Sequence, residues 1–172
     1  SCRSLYIPTM YSGNYHYGPF RALEDDVYKY WQKHLVASIP NLTIKNHPKS
    51  IKPELGVRAE DRWLEDCIGD YDLLILDYYS TAASIAVFSD KPVMFFDIGL
   101  RNMSSRYTEL LRKRCHYRTI NLCEELSSQI NDVLDSFGEQ SNSWSNLKLK
   151  DYAIRKDNVD GVWPALVSTL FN

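Results

Sequence analysis

The sequence predicts an α/β protein: a Rossmann-like doubly wound parallel sheet of about five to six strands, with helices on both faces. Two observations predict it. Short β-rich runs alternate with longer helical patterns along the whole chain, the signature of strands joined by crossover helices. The chain also has 172 residues, 44% of them hydrophobic and 24% charged, which suits one domain with a sizeable core.

The elements follow in order. Leu5–Ile7 opens the sheet and leads into the loop "PTMYSGNYHYGPF". In "LEDDVYKYWQKHLVAS", Val27, Tyr30, Trp31, His34 and Leu35 keep helical spacing, and Asp25 and Asp26 suit the positive end of a helix. Pro40 marks the exit, and "NLTIKNHP" reads as the second strand. A weak edge strand is expected at Leu55–Val57, before a helix around Ala59–Ile68. The strand Leu73–Leu76, a helix from about Ser80 to Phe88, the turn "SDKP" and the strand Val93–Phe96 come next. A basic helix, a strand near Tyr117–Asn121, a helix near Glu124–Phe137, the polar stretch "GEQSNSWSN" and a capped terminal helix in "VDGVWPALVSTLFN" complete the series. There is no internal repeat.

Composition excludes several classes. No apolar run approaches the roughly 20 residues of a membrane span. The opening residues lack an initiator Met and a signal core, so residues 1–172 read as a single-domain fragment of a longer protein. Cys2, Cys67, Cys115 and Cys123 show neither paired C-x-x-C spacing nor a histidine at finger spacing, which favours reduced cytosolic thiols over zinc or disulfides. The sequons at Asn41 and Asn102 would matter only in a secreted protein. A net charge of −2 gives no reason to expect nucleic acid. The basic run Arg106 to Arg118 reads first as a solvated helix face, with an anionic membrane surface or a phosphorylated ligand as the sharper alternative.

In a doubly wound sheet the strand order reverses between the first strand and Leu73–Leu76, and the loops leaving those strands flank the crevice. These loops are "PTMYSGNYHYG" and "DYYSTA". Ser80 and Thr81, at a helix start, can cap its N–H groups or help those groups hold an anion. In "NHPKS", Pro48 disfavours helix at His47, so the imidazole can be presented on the same edge, with Lys45 and Lys49 adding charge. That histidine could hydrogen-bond a phosphate, donate a proton to a leaving oxygen, or merely pack in its loop.

A strand ending in "HP", then "DLLILDYYST" entering a helix, then "KPVMFFD", resembles the C-terminal half of GT-B glycosyltransferases, and most of all the bacterial capsule and surface-polysaccharide transferases and CDP-glycerol glycerophosphotransferases. The likeness spans about Leu5 to Gly99; beyond Leu100 only the pattern of helices and the "DG" at Asp160–Gly161 match. It implies a nucleotide-activated sugar or glycerol donor held by this half, with no metal and no other cofactor, and an acceptor held by an N-terminal half. It places His47 and the segment from Asp77 to Ser80 at the donor's phosphates; taken with the loop positions above, His47 is the catalytic candidate, and Tyr11, Ser12, Gly13, His47, Lys49, Asp77, Ser80, Thr81 and Asp97 are the donor-binding candidates. Where the teichoic acid enzymes typically show Asp-Tyr-Ser-Ser, Tyr79 intervenes between Tyr78 and Ser80, so either hydroxyl can meet phosphate. The catalytic base commonly lies in the other half, so this half alone is expected to turn over little or nothing. The resemblance further implies a cytoplasmic setting and leaves room for peripheral membrane contact through the full-length protein.

Other residues carry weaker signals. "GDYD" resembles a D-x-D metal motif but precedes its strand, at the wrong end of a parallel sheet, and reads as a turn. Asp77 could orient a ligand hydroxyl or accept from neighbouring backbone N–H groups. Gly13 and Gly18 permit close backbone approach without forming a dinucleotide fingerprint. Tyr11, Tyr15, His16 and Tyr17 could stack on a base or sugar, or form a lid or an interface. Asp97 and Arg101 are candidates for ribose or phosphate contact. Two other readings stand beside the first: a sugar-nucleotide epimerase, which "STAASIAVF" supports less because the usual acidic residues are missing, and a non-catalytic flavodoxin-like interaction domain.

Overall fold

The computed structural model describes residues 2–11, 23–50 and 54–144. Ser12, Gly13, Tyr15, His16, Tyr17, Gly18 and the expected terminal helix lie outside them. Six strands, β1 (Ser4–Ile7), β2 (Leu42–Ile44), β3 (Arg58–Ala59), β4 (Leu73–Leu76), β5 (Val93–Asp97) and β6 (His116–Thr119), form one all-parallel sheet in the order β3-β2-β1-β4-β5-β6. The order reverses at β1, which pairs β2 through Tyr6 with Ile44 and β4 through Tyr6 with Ile75. The switch point expected between β1 and β4 is present.

Alternation along the strands divides the core in two. Tyr6, Ile75, Met94 and Phe96 pack under α1 (Asp25–Ser38) and α5 (Leu126–Trp144), with Trp31, Leu35, Ile130 and Val133 coming from the helices. Leu5, Leu74, Leu76 and Phe95 pack under α2 (Leu64–Cys67), α3 (Thr81–Phe88) and α4 (Ser105–Arg114). β1 and β4 form the centre of the sheet, and all four residues of each are buried.

Several element boundaries move for physical reasons. The edge strand sits at Arg58–Ala59 rather than Leu55–Val57, and the helix after it shrinks to Leu64–Cys67 followed by a 3₁₀ turn, Ile68–Asp70. On α1 the buried residues are Tyr28, Trp31, Gln32 and Leu35, whereas Val27 and Tyr30 face outward. The spacing was helical, but the buried stripe is displaced around the axis. After Pro40, Asn41 adopts φ 56°, a left-handed turn that Asn tolerates, and the chain enters β2. α5 runs through the polar "GEQSNSW" to Trp144, past the expected end at Phe137.

The basic run is not all solvated face. Arg114, at the end of α4, donates from Nε to the Val87 carbonyl at 2.8 Å and from Nη2 to the carbonyls of Ser89 and Lys91 at 2.9 and 2.8 Å. It ties the end of α3 and the turn before β5 to α4, satisfying carbonyls that a helix end leaves unpaired. Burial lowers its pKa, the cost of holding a cation there. An Arg114→Met substitution should therefore lower stability by about 2 kcal/mol in urea unfolding, since hydrogen bonds from charged groups are worth about 1.5–3 kcal/mol each; an unchanged midpoint would refute the clamp. Among the described residues no helix is long and apolar enough to cross a membrane.

Candidate functional site

The carboxyl ends of β2, β1 and β4 lie side by side and present His47, Tyr11 and Ser80 on one edge. With neighbouring strands about 4.8 Å apart, the tips of β2 and β4 stand roughly 10 Å from each other across β1. The loops after β1 and β2 are joined, because the Tyr11 N–H donates to Ser50 Oγ at 3.2 Å.

In "NHPKS" the Lys49 N–H donates to His47 Nδ1 at 3.2 Å, and the Ser50 N–H donates to the His47 carbonyl at 2.9 Å. A ring whose Nδ1 accepts carries its single proton on Nε2. Partial burial, then the charges of Lys49 and Lys45, push the imidazole pKa down. Of the two chemical tasks open to His47, the local geometry suits a neutral N–H donor to an anion better than a general acid at neutral pH.

Ser80 is the N-cap of α3, where its side chain accepts from the Ala83 N–H at 3.5 Å, and exposed Thr81 begins the first turn. The capping reading of Ser80 is thus realised, and the remaining N–H groups of that turn keep their affinity for anions. Tyr79 turns inward: its hydroxyl bonds Ser84 Oγ at 2.9 Å and its ring meets Tyr107 edge-on. The extra residue in "DYYST" therefore serves the core beneath α3.

Asp77 takes a role that neither sequence-level reading described. It is 2% exposed, at the end of β4, and accepts from three side chains. The Tyr6 hydroxyl donates to Oδ2, Trp31 Nε1–H donates to Oδ2 at 3.0 Å, and the Tyr28 hydroxyl donates to Oδ1 at 3.1 Å. Burial raises its pKa to about 6, against the opposing pull of those donors. The network continues outward: Gln32 Nε2 donates to the Tyr6 hydroxyl at 3.2 Å, the Tyr11 hydroxyl donates to Gln32 Oε1, and the Thr9 N–H donates to the Tyr28 hydroxyl at 3.1 Å. Tyr11 also packs on Tyr28, with ring centroids 5.4 Å apart, and burial raises its pKa to about 12. Its phenol is turned into the network, which anchors the first residues of the β1 loop.

Tyr6, Tyr28, Trp31 and Gln32 form this floor, and only the helical spacing of Trp31 hinted at any of them. Lys49 is exposed on the rim, and Ser12 and Gly13 lie outside the described residues. Asp97 stands further along the same edge, two strands from β1, with Oδ1 accepting from the Gly99 N–H at 3.1 Å and Oδ2 from the Tyr117 hydroxyl. Arg101 links the two regions by donating from Nη1 to the Tyr79 carbonyl at 3.1 Å. "GDYD" lies at the opposite end of the sheet, where Asp72 accepts from the Arg3 N–H at 2.8 Å and Asp70 pairs with Arg62 at 2.8 Å.

Chemically, the rim offers a neutral imidazole N–H, two lysines and a helix N-terminus above a rigid, internally satisfied base, an arrangement suited to an anion. No protein-family model matches the chain, and no curated protein sequence is recognisably similar to it.

Proposed function

We propose that this chain is the donor-nucleotide-binding half of a GT-B transferase, acting with a nucleotide-activated sugar or glycerol donor in surface-polysaccharide or teichoic-acid-like polymer synthesis. The observation that carries the reading is the reversal of strand order at β1, which sets the N-terminus of α3 and the His47 loop on one edge of the sheet. Ligands of open α/β sheets bind at such a switch point. In this reading, the α3 N–H groups, Ser80, Thr81 and the His47 Nε2–H hold the departing nucleotide's phosphates, and Lys45 and Lys49 add positive charge. Their contribution is to stabilise negative charge as it develops on the leaving oxygen.

Melting curves with CDP, CMP, UDP and GDP test this directly. A ligand at roughly 100 times its Kd adds about 2.7 kcal/mol, which for a chain of this size corresponds to a rise of about 5–10 °C. The expected result is such a rise with at least one nucleoside diphosphate, a smaller one with CMP, and loss of most of it in His47→Ala and Ser80→Ala. Lack of response to every nucleotide would favour the interaction-domain reading, and conversion of a UDP-sugar without acceptor would favour the epimerase.

A further inference from the structure

A second concave surface lies beyond the switch point, at the carboxyl ends of β5 and β6. It is a cleft of about 380 Å³ whose polar wall consists of Asp97, Arg101, Asn102, Thr108 and Thr119. The volume is at the small end of the range for small-molecule sites, about 300–1,000 Å³. Three elements hold these side chains: Asp97 ends β5, Thr119 ends β6 and Thr108 lies in the second turn of α4.

The charges are set in place independently. Asp97 is fixed by the Gly99 N–H and the Tyr117 hydroxyl, in a turn that Gly99 permits at φ +78°. Each carboxylate oxygen can accept more than one hydrogen bond, so these two leave acceptor capacity on a residue that lines the cleft. Arg101 is held from the other side by the Tyr79 carbonyl. A carboxylate that accepts and a guanidinium that donates, each with its own protein partner, suit a ligand with hydroxyls for the first and an anionic group for the second. Thr108, Thr119 and Asn102 offer further bonds to hydroxyls, and buried Ile98 and Ile120 supply an apolar patch for the C–H face of a ring.

We propose that this cleft binds a small phosphorylated sugar or polyol, with the phosphate on Arg101 and the hydroxyls on Asp97, Thr108 and Thr119. The cleft shares Asp97 with the donor residues expected from the sequence, and Arg101 reaches back to the Tyr79 carbonyl, but none of its lining residues belongs to the His47 or Ser80 loops.

Calorimetric titration of the whole chain with glucose 6-phosphate, glucose and inorganic phosphate is the test. Glucose 6-phosphate should bind, with the other two at least tenfold weaker. Arg101→Gln and Thr108→Val should each weaken it, by roughly tenfold for the charged contact, while Ser80→Ala leaves it unchanged. Thr108→Val guards against misfolding of the arginine variant, since Thr108 lies on the half-exposed cleft wall. Absence of glucose 6-phosphate binding, equal affinity for inorganic phosphate, undiminished binding by both cleft variants, or an equal loss in Ser80→Ala would each overturn the proposal. Nucleotide melting shifts are read separately, so either site can fail without the other.

Discussion

Replacing Asp77 with Leu is expected to lower stability by about 4 kcal/mol at neutral pH, because an orphaned buried donor costs about 1–3 kcal/mol and the carboxylate serves three. Leu would remove the acceptor for the Trp31 indole N–H and for the hydroxyls of Tyr6 and Tyr28. The two phenols stand 3.4 Å apart and can pair with each other, but the indole N–H has no such recourse within the network. Burying an apolar side chain in place of a charge recovers part of the loss, as it does wherever an ion has been held in a core. Asp77→Asn should cost far less, since its amide oxygen can take the bonds of Oδ2. Urea unfolding at neutral pH ranks the three chains; a Leu variant within about 1 kcal/mol of the wild type would show that the network contributes little.

The second large effect is a dependence on pH opposite in sign to that of most carboxylates. The Asp77 pKa is raised by burial to about 6 in the folded chain, against about 3.9 for an unfolded aspartate. Below about pH 4 both states hold the proton, and this residue contributes no slope. Between about pH 4 and 6 the unfolded chain releases the proton while the folded chain keeps it, so stability falls as pH rises. The whole decline amounts to about 3 kcal/mol and levels off above about pH 6. Glu60 pulls the other way. Hydrogen bonds from Arg62 hold its pKa down to about 2, so the stability it contributes is present at neutral pH and is lost on acidification. Subtracting the unfolding profile of Asp77→Asn from that of the wild type isolates the Asp77 part. A flat difference between pH 4 and 7 would contradict the raised pKa.

Both effects bear on the proposed site because the network that holds Asp77 also holds the loop leaving β1. Tyr28 connects the carboxylate to the Thr9 N–H, and Gln32 connects Tyr6 to the Tyr11 hydroxyl. The first residues of that loop are therefore positioned from below by α1, while Ser50 ties Tyr11 to the loop of β2. Proposed phosphate contacts on this rim would rest on a base whose hydrogen bonds are already made, so little reorganisation would accompany binding.

The amino-acid sequence alone determined the alternation of strand and helix, the parallel sheet, the switch point beside Leu73–Leu76 and a helix start at Ser80, whose hydroxyl it left open between capping and anion binding. Each is a local matter: apolar runs of strand length, a Ser at a helix start, a Pro after a helix end. The tertiary structure decided what distance along the chain conceals. Asp77 finds Tyr6, Tyr28 and Trp31 across separations of 71, 49 and 46 residues. Gln32 is wholly buried because two phenols meet its amide, and hydropathy places such a residue outside. The phase of α1 went astray for the same reason: Val27 and Tyr30 are apolar enough to mark a face, but the face that packs is the one whose polar atoms find partners. Arg114 likewise counts as surface charge until three carbonyls from another element surround it. Periodicity reports which residues can share a side, whereas hydrogen-bond satisfaction across the sheet determines which side goes in.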